Sequence, residues 1–166
     1  MVRIAKGDQR AVPLLLERYR KALFAFLYRI TVNQADAEDL FQETWMRVVR
    51  YGRTFDPQKK FSTWLFQIAV NCTRDFFKQK SPETALENEI SVDMDLRGME
   101  NQEMVEQIMR KMPLPYREIL ALRYFHDMKE KEIADLLGIP LGTVKSRLHK
   151  TLAHLREIYE VTDLAE

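Results

Sequence analysis

"IADLLGIPLGTVKSRLHKTLAHL", residues 133–155, reads as a short helix, a tight turn and a longer basic helix. Ile133, Ala134 and Leu137 give the first helix an inner face, and small Ala134 lets a second helix come close. Gly138 permits the sharp turn that sets two helices at a steep angle. Val144, Leu148, Leu152 and Leu155 then run at i, i+4, i+8 and i+11, which predicts an inward stripe on the second helix. Gly142, Thr143, Lys145, Ser146, Arg147, His149 and Lys150 are left outside or at the margin. No acid lies between Asp135 and Glu157, so a surface entering a DNA major groove would be free of charges that repel phosphate. An ordinary helical hairpin with a solvated basic face is the bland alternative. The coincidence of small residue, glycine turn and acid-free helix favours duplex DNA. Thr143, Ser146, Arg147 and Lys150 are placed to reach base edges, and Lys145 and His149 to meet phosphates.

The rest of the chain differs in composition. With 166 residues, 46% of them hydrophobic, there is material for one ordinary domain or two small ones with thin cores. Helix formers dominate, the five glycines are scattered, and no strand-length alternation stands out, which predicts an all-α fold. The net charge of +1 conceals a division. Counting Lys and Arg against Asp and Glu, residues 1–80 carry +7, residues 81–106 carry −7 and residues 107–166 carry +1. A basic front favours a polyanionic partner. No apolar run reaches the roughly 18 residues of a membrane span, and the N-terminus lacks a signal-peptide core. A cytoplasmic location is expected. The single cysteine, Cys72, cannot form an internal disulfide and falls on an apolar stripe, so it is read as core.

From Asp8, a good N-cap, Leu15, Leu16, Tyr19, Leu23, Phe26, Leu27 and Ile30 follow helical spacing, predicting a first helix that ends near Asn33. A second opens near Ala35 or Asp36, repeats Leu40, Phe41, Thr44 and Val48, and stops at Gly52. After a loop, Ser62 can cap a third helix with Trp64, Leu65, Ile68, Ala69, Cys72 and Phe76 on one face. Residues 81–98 are polar and acidic without sustained period, the signature of a solvated linker. Order resumes near Met99, and a further helix is expected from about Tyr116 to Phe125. The units are therefore 1–80, the linker 81–98, and 99–166.

Two surfaces stand out in the front unit. Asp39, Gln42, Glu43, Met46 and Arg50 share an outer face of the second helix, which spacing alone reads more readily as plain solvation than as docking. From Pro57 to Arg74 no acid appears, while Gln67, Asn71, Arg74 and Lys78 make a polar stripe opposite the apolar one. Such a stripe can track a single strand, with Phe61 and Trp64 as weaker candidates to support an unstacked base. The three histidines form no metal cluster: His149 and His154 miss a common helical face, and His126 stands alone as a surface or hinge residue.

"DAEDLFQETWMRVVR", "FSTWLFQIAVNCTRDFF" and the opening stretch, in that order and separated by an acidic linker, resemble a bacterial RNA polymerase sigma factor of the extracytoplasmic-function (ECF) type, in the sigma-70 family. The resemblance implies two small helical domains, region 2 and a region 4 helix-turn-helix. It implies that Asp39, Gln42, Glu43 and Met46 dock on RNA polymerase core. It implies that Lys59, Lys60, Phe61, Ser62, Trp64, Gln67, Asn71, Arg74 and Lys78 recognise and open the minus-ten promoter sequence, with a base flipped from the stack. Pro140, Gly142, Thr143, Lys145, Ser146, Arg147, His149 and Lys150 would bind the minus-thirty-five duplex. It further implies an anti-sigma partner, membrane-bound in many relatives, that would hold the chain at the inner membrane face. No cofactor, metal or catalytic residue is implied: Glu38, Asp39 and Glu43 have no partner His or Asp motif that would make them metal-binding carboxylates, and two acids in a helix's first turn answer its dipole. The competing reading is a stand-alone helix-turn-helix regulator. In the family the linker runs near the polymerase active site and RNA exit path, where its charge can mimic nucleic acid. Replacing the acids of residues 83–95 with serine is expected to change the yield of initiated and escaped transcripts in run-off transcription; an unchanged yield would leave only a tether.

Overall fold

The computed structural model describes residues 12–80 and 101–163, with side chains from 103 to 156 in the second stretch. Among them are seven helices and no strand. The linker 81–98 and the Asp8 cap lie outside these residues.

The front unit comprises α1 (Val12–Thr31), α2 (Gln34–Tyr51), a 3-10 turn (Gly52–Thr54) and α3 (Phe61–Lys80). Asn33 caps α2, its side chain accepting from the Asp36 amide at 3.0 Å, so the helix starts one residue before the expected Ala35. Gly52 does not end α2 through a left-handed cap; its φ is −54°, and the chain tightens into the 3-10 turn instead. Helix α3 begins at Phe61, which puts Ser62 inside the first turn instead of at the cap. Leu23, Phe26, Leu27 and Ile30 of α1 pack with Leu40, Trp45 and Val48 of α2 and with Leu65 and Ala69 of α3 in one buried cluster. Cys72 is buried within it.

The rear unit comprises α4 (Asn101–Lys111), α5 (Leu114–Leu120) continuing as a π-helical turn (Ala121–Phe125), α6 (Glu130–Leu137) and α7 (Leu141–Asp163). Gly138 adopts φ +66° and its amide donates to the Ala134 carbonyl, the left-handed stop that the turn requires. Glu132 caps α6 by accepting from the Lys129 amide at 3.0 Å. On α7 the inner positions are Val144, Leu148 and Thr151, not the expected run through Leu152. The Thr151 hydroxyl donates to the Arg147 carbonyl at 2.8 Å, which satisfies it inside the helix, and Leu152 and Leu155 are left half-buried.

The two units pack against each other. Helix α3 buries more than one face: besides the expected stripe, Phe66, Val70, Thr73 and Phe77 are buried, and their i, i+4, i+7, i+11 spacing marks a second stripe. The rear unit covers it. His126 lies with its ring centroid 4.3 Å from Phe66 and 5.7 Å from Phe26, and the Arg117 guanidinium sits 5.1 Å from the Phe77 ring. Reciprocally, Val32 of the front unit is buried in the cluster of Met104, Ile108, Met109 and Tyr116. No helix among the described residues is long and apolar enough to cross a membrane.

His126 is therefore a wedge between the units. Burial, aided by the charge of Arg29 and opposed by Asp127, lowers its pKa to about 4, whereas an imidazole in the unfolded chain titrates near 6.5, at about the unperturbed value. A group lowered in this way is neutral in both states at high pH, and the unfolded state gains a proton first as pH falls. Stability in urea is expected to decline from about pH 6.5 downward, and His126→Phe is expected to flatten the part of that slope above about pH 5, where carboxylates contribute little.

Candidate nucleic-acid interface and docking line

The outer face of α7 carries the expected reading residues. Gly142, Lys145, Ser146, His149 and Lys150 are exposed, with Pro140 beside them at the turn and Thr143 half-exposed. The Ser146 hydroxyl turns back to the Thr143 carbonyl at 3.1 Å. A Cβ built at Gly142 meets nothing within 4 Å, so this glycine serves no packing inside the chain. Its bare backbone at the first turn of α7 allows close approach by a large partner. Arg147 differs from its neighbours: it is half-buried, with its guanidinium 5.6 Å from the Tyr116 ring of α5 in the same unit.

On α3 the polar stripe divides. Gln67, Asn71 and Lys78 are exposed, as are Lys59 and Lys60 in the preceding loop, and Ser62 is half-exposed. The loop is held by an Asx turn, the Asp56 carboxylate accepting from the Gln58 amide at 3.0 Å. Phe61 is a correction. It is only 6% exposed and is packed against Tyr19, Phe55 and Trp64 at centroid distances of 5.3, 5.9 and 5.7 Å. An aromatic enclosed by three others has no free face for a base, so it shapes the loop from beneath. Trp64 is half-buried, its ring 5.2 Å from Phe55.

Arg74 follows Asn71 on the polar stripe by helical count, yet it does not stand open to a strand. It is bound instead: its Nε and Nη2 donate to the two carboxylate oxygens of Glu118, each at 2.9 Å. Glu118 is 2% exposed. Burial pushes its carboxyl up, and the Arg74 contact opposes that shift, with Arg147 and Arg117 adding weaker attraction. Lys60 likewise reaches across to Glu132 at 3.2 Å; the Lys129 amide first, and Lys60 after it, hold the Glu132 carboxyl below the usual range. These cross-unit partners could not be read from periodicity. The available signal was "YREIL" at 116–120, two adjacent charges inside an apolar run, where burial demands partners.

The expected polymerase-facing residues of α2 also divide. Asp39, Gln42 and Met46 are exposed in a line, Met46 by 59%, and exposed Val49 extends it. Glu43 is drawn aside: Arg47 Nε donates to it at 2.7 Å while Arg47 Nη1 donates to Asp75 at 2.9 Å, bracing α2 against α3. Along the seam between the units runs an apolar groove lined by Phe24, Tyr28, Val32, Val105, Met109 and Phe125, continuing to Leu152 and Leu155. Among the described residues no group of histidine, cysteine and acidic side chains could hold a metal ion.

The family model for sigma-70 region 2 matches residues 15–83, and that for sigma-70 region 4 matches residues 102–155. The ECF RNA polymerase sigma factor SigW of Bacillus subtilis (strain 168) is 32% identical over 171 residues, covering 93% of this chain and 91% of the relative. SigM of the same organism is 28% identical, covering 87% of this chain and 93% of that one. Two solved structures share the fold with a TM-score of 0.73. They are CnrH in complex with the cytosolic domain of CnrY, at 23% identity over 96% of this chain and 94% of that one, and the sigma factor RpoE of Bartonella quintana in complex with the anti-sigma factor NepR, at 21% identity over 90% and 96%. The chain belongs to the extracytoplasmic-function sigma factors of the sigma-70 family.

Proposed function

We propose that this chain is a dissociable promoter-specificity subunit. It binds RNA polymerase core, directs it to promoters by reading the minus-thirty-five duplex and the melted minus-ten strand, and leaves the chemistry of RNA synthesis to polymerase. The observation that carries the reading is the pairing of two polar faces, an acid-free one on α7 for duplex and one on α3, acid-free as far as Arg74, for single strand, with a separate exposed line on α2. The division of labour follows from the residues. Exposed Lys145 and His149 suit phosphates, Ser146 and Lys150 suit base edges, and Gln67 and Asn71 present amides to an unstacked strand beside Lys78. Asp39, Gln42 and Met46 offer polymerase a polar line with an apolar centre, the composition of a small docking hot spot.

The apolar groove along the seam supports control by an anti-sigma factor. An amphipathic helix laid there would touch both units at once, through Phe24 and Tyr28 on one side and Val105 and Phe125 on the other. Of the two structural neighbours, RpoE of Bartonella quintana is itself in complex with an anti-sigma factor, and CnrH is in complex with the cytosolic domain of CnrY.

Run-off transcription with purified core polymerase on a fragment library tests the reading: initiated ends should gather at defined sites, and a complete lack of such sites would overturn it. Within that assay, Met46→Asp is expected to weaken core binding about tenfold, the effect of about 1.4 kcal/mol, without changing the fold. The two cations on α7 should separate. Lys145→Ala is expected to weaken binding on all promoters alike and reduce the salt-dependence slope by about 1, while Lys150→Ala should alter promoter preference by about 1–3 kcal/mol.

A further inference from the structure

The contacts that join the two units take residues away from DNA. The second buried stripe of α3 (Phe66, Val70, Thr73, Phe77) lies one position from its strand-reading stripe (Gln67, Asn71, Arg74, Lys78), so the rear unit sits along the edge of the reading surface. Arg74 is consumed there by Glu118. Arg147, on the helix that reads duplex, also acts on Glu118. One buried acid therefore engages the strand-reading helix directly and the duplex-reading helix through its field.

We propose that Glu118 is a latch: in the free chain it holds Arg74 and keeps the two DNA-reading units closed, and engagement with polymerase and promoter requires the latch to break. The proposal rests on the promoter-reading function above. Its geometric basis is length. Elements centred at minus ten and minus thirty-five lie about 25 base pairs apart, or about 85 Å along B-form DNA. A chain of 166 residues folded as one body is only about 40 Å across. In the closed chain Lys60 and Glu132 stand 3.2 Å apart, so the strand-reading loop and the helix-turn-helix are side by side. The closed form cannot occupy both promoter elements.

The chemistry suits a latch that opens cooperatively. A carboxylate as buried as Glu118 is tolerated because a bidentate guanidinium satisfies it. Withdrawing Arg74 toward a phosphate removes that partner, which makes continued burial of Glu118 unfavourable and drives the units apart. Val32 adds a second element. It has φ +48°, a left-handed backbone that a β-branched residue rarely adopts, and it is buried in the rear unit's Met109–Tyr116 cluster. Packing across the seam holds this conformation, and separation frees it to relax.

The test uses the full chain with fluorophores on Glu17→Cys and Lys131→Cys, exposed positions on α1 and α6. Cys72 is buried, and burial pushes its thiol up, which spares it from labelling. Energy transfer should be high in the free chain and fall sharply on a complex with core polymerase and promoter. Glu118→Gln should lower transfer in the free chain and bind core at least about threefold more tightly, because the closed fraction no longer subtracts from the competent one. Should Glu118→Gln fail to fold by circular dichroism, Arg74→Gln, altered at a half-exposed position, decides by the same loss of transfer. Equal transfer in the free and polymerase-bound wild type, folded variants as closed as the wild type, or opening without tighter core binding would each overturn the latch. A closed, latch-dependent chain that initiates no transcription would instead overturn the function and leave the latch standing.

Discussion

A charge removed from water must find a partner of opposite sign, and in this protein the partner comes from the other half of the chain. Glu118 is buried in the rear unit and Arg74 projects from the front one. Their two-point contact fixes how the halves meet, since a guanidinium fork tolerates little sliding against a carboxylate. Around it the seam is apolar, with His126 against Phe66 and Arg117 over Phe77. The apolar surface and the ion pair hold the halves together, and the pair also sets their register. The Arg117 guanidinium, which also donates to the Ile30 carbonyl at the end of α1, adds a second polar anchor there.

Much of each unit was legible from local pattern. The stripes of α1 and α2, the glycine stop at Gly138 and the core position of Cys72 follow from periodicity and backbone preference, which act within a few residues. The acid-free run through α3 to Arg74 and the acid-free face of α7 were equally visible, because absence of acidic residues is a property of composition. These are features for which local and global demands agree.

What escaped the sequence lies at the seam or depends on enclosure. Phe61 has the type and position of a base-stacking residue, yet Tyr19, Phe55 and Trp64 close around it, and nothing in the spacing of "KKFSTW" distinguishes a ring that faces out from one that faces in. Arg74 and Arg147 belong to polar stripes by helical count, while their side chains are long enough to lean sideways to a buried acid or an aromatic face. Thr151 occupies an inner position because its hydroxyl bonds to its own helix, something a hydrophobic count does not register. For both arginines the deciding partner is distant in the chain.

Helix α3 has apolar rows facing both its own bundle and the opposite unit, and that geometry constrains how its residues can vary. Phe66 and Phe77 must fit a neighbour that is present in one state of the molecule and gone in another, so they are judged twice: once for close packing and once for tolerable exposure to water. A larger ring or an added branch there would tighten the embrace and slow release; a polar replacement would loosen it and ease solvation. The strip acts as a set-point for how readily the two halves part, adjustable without touching any side chain that meets DNA.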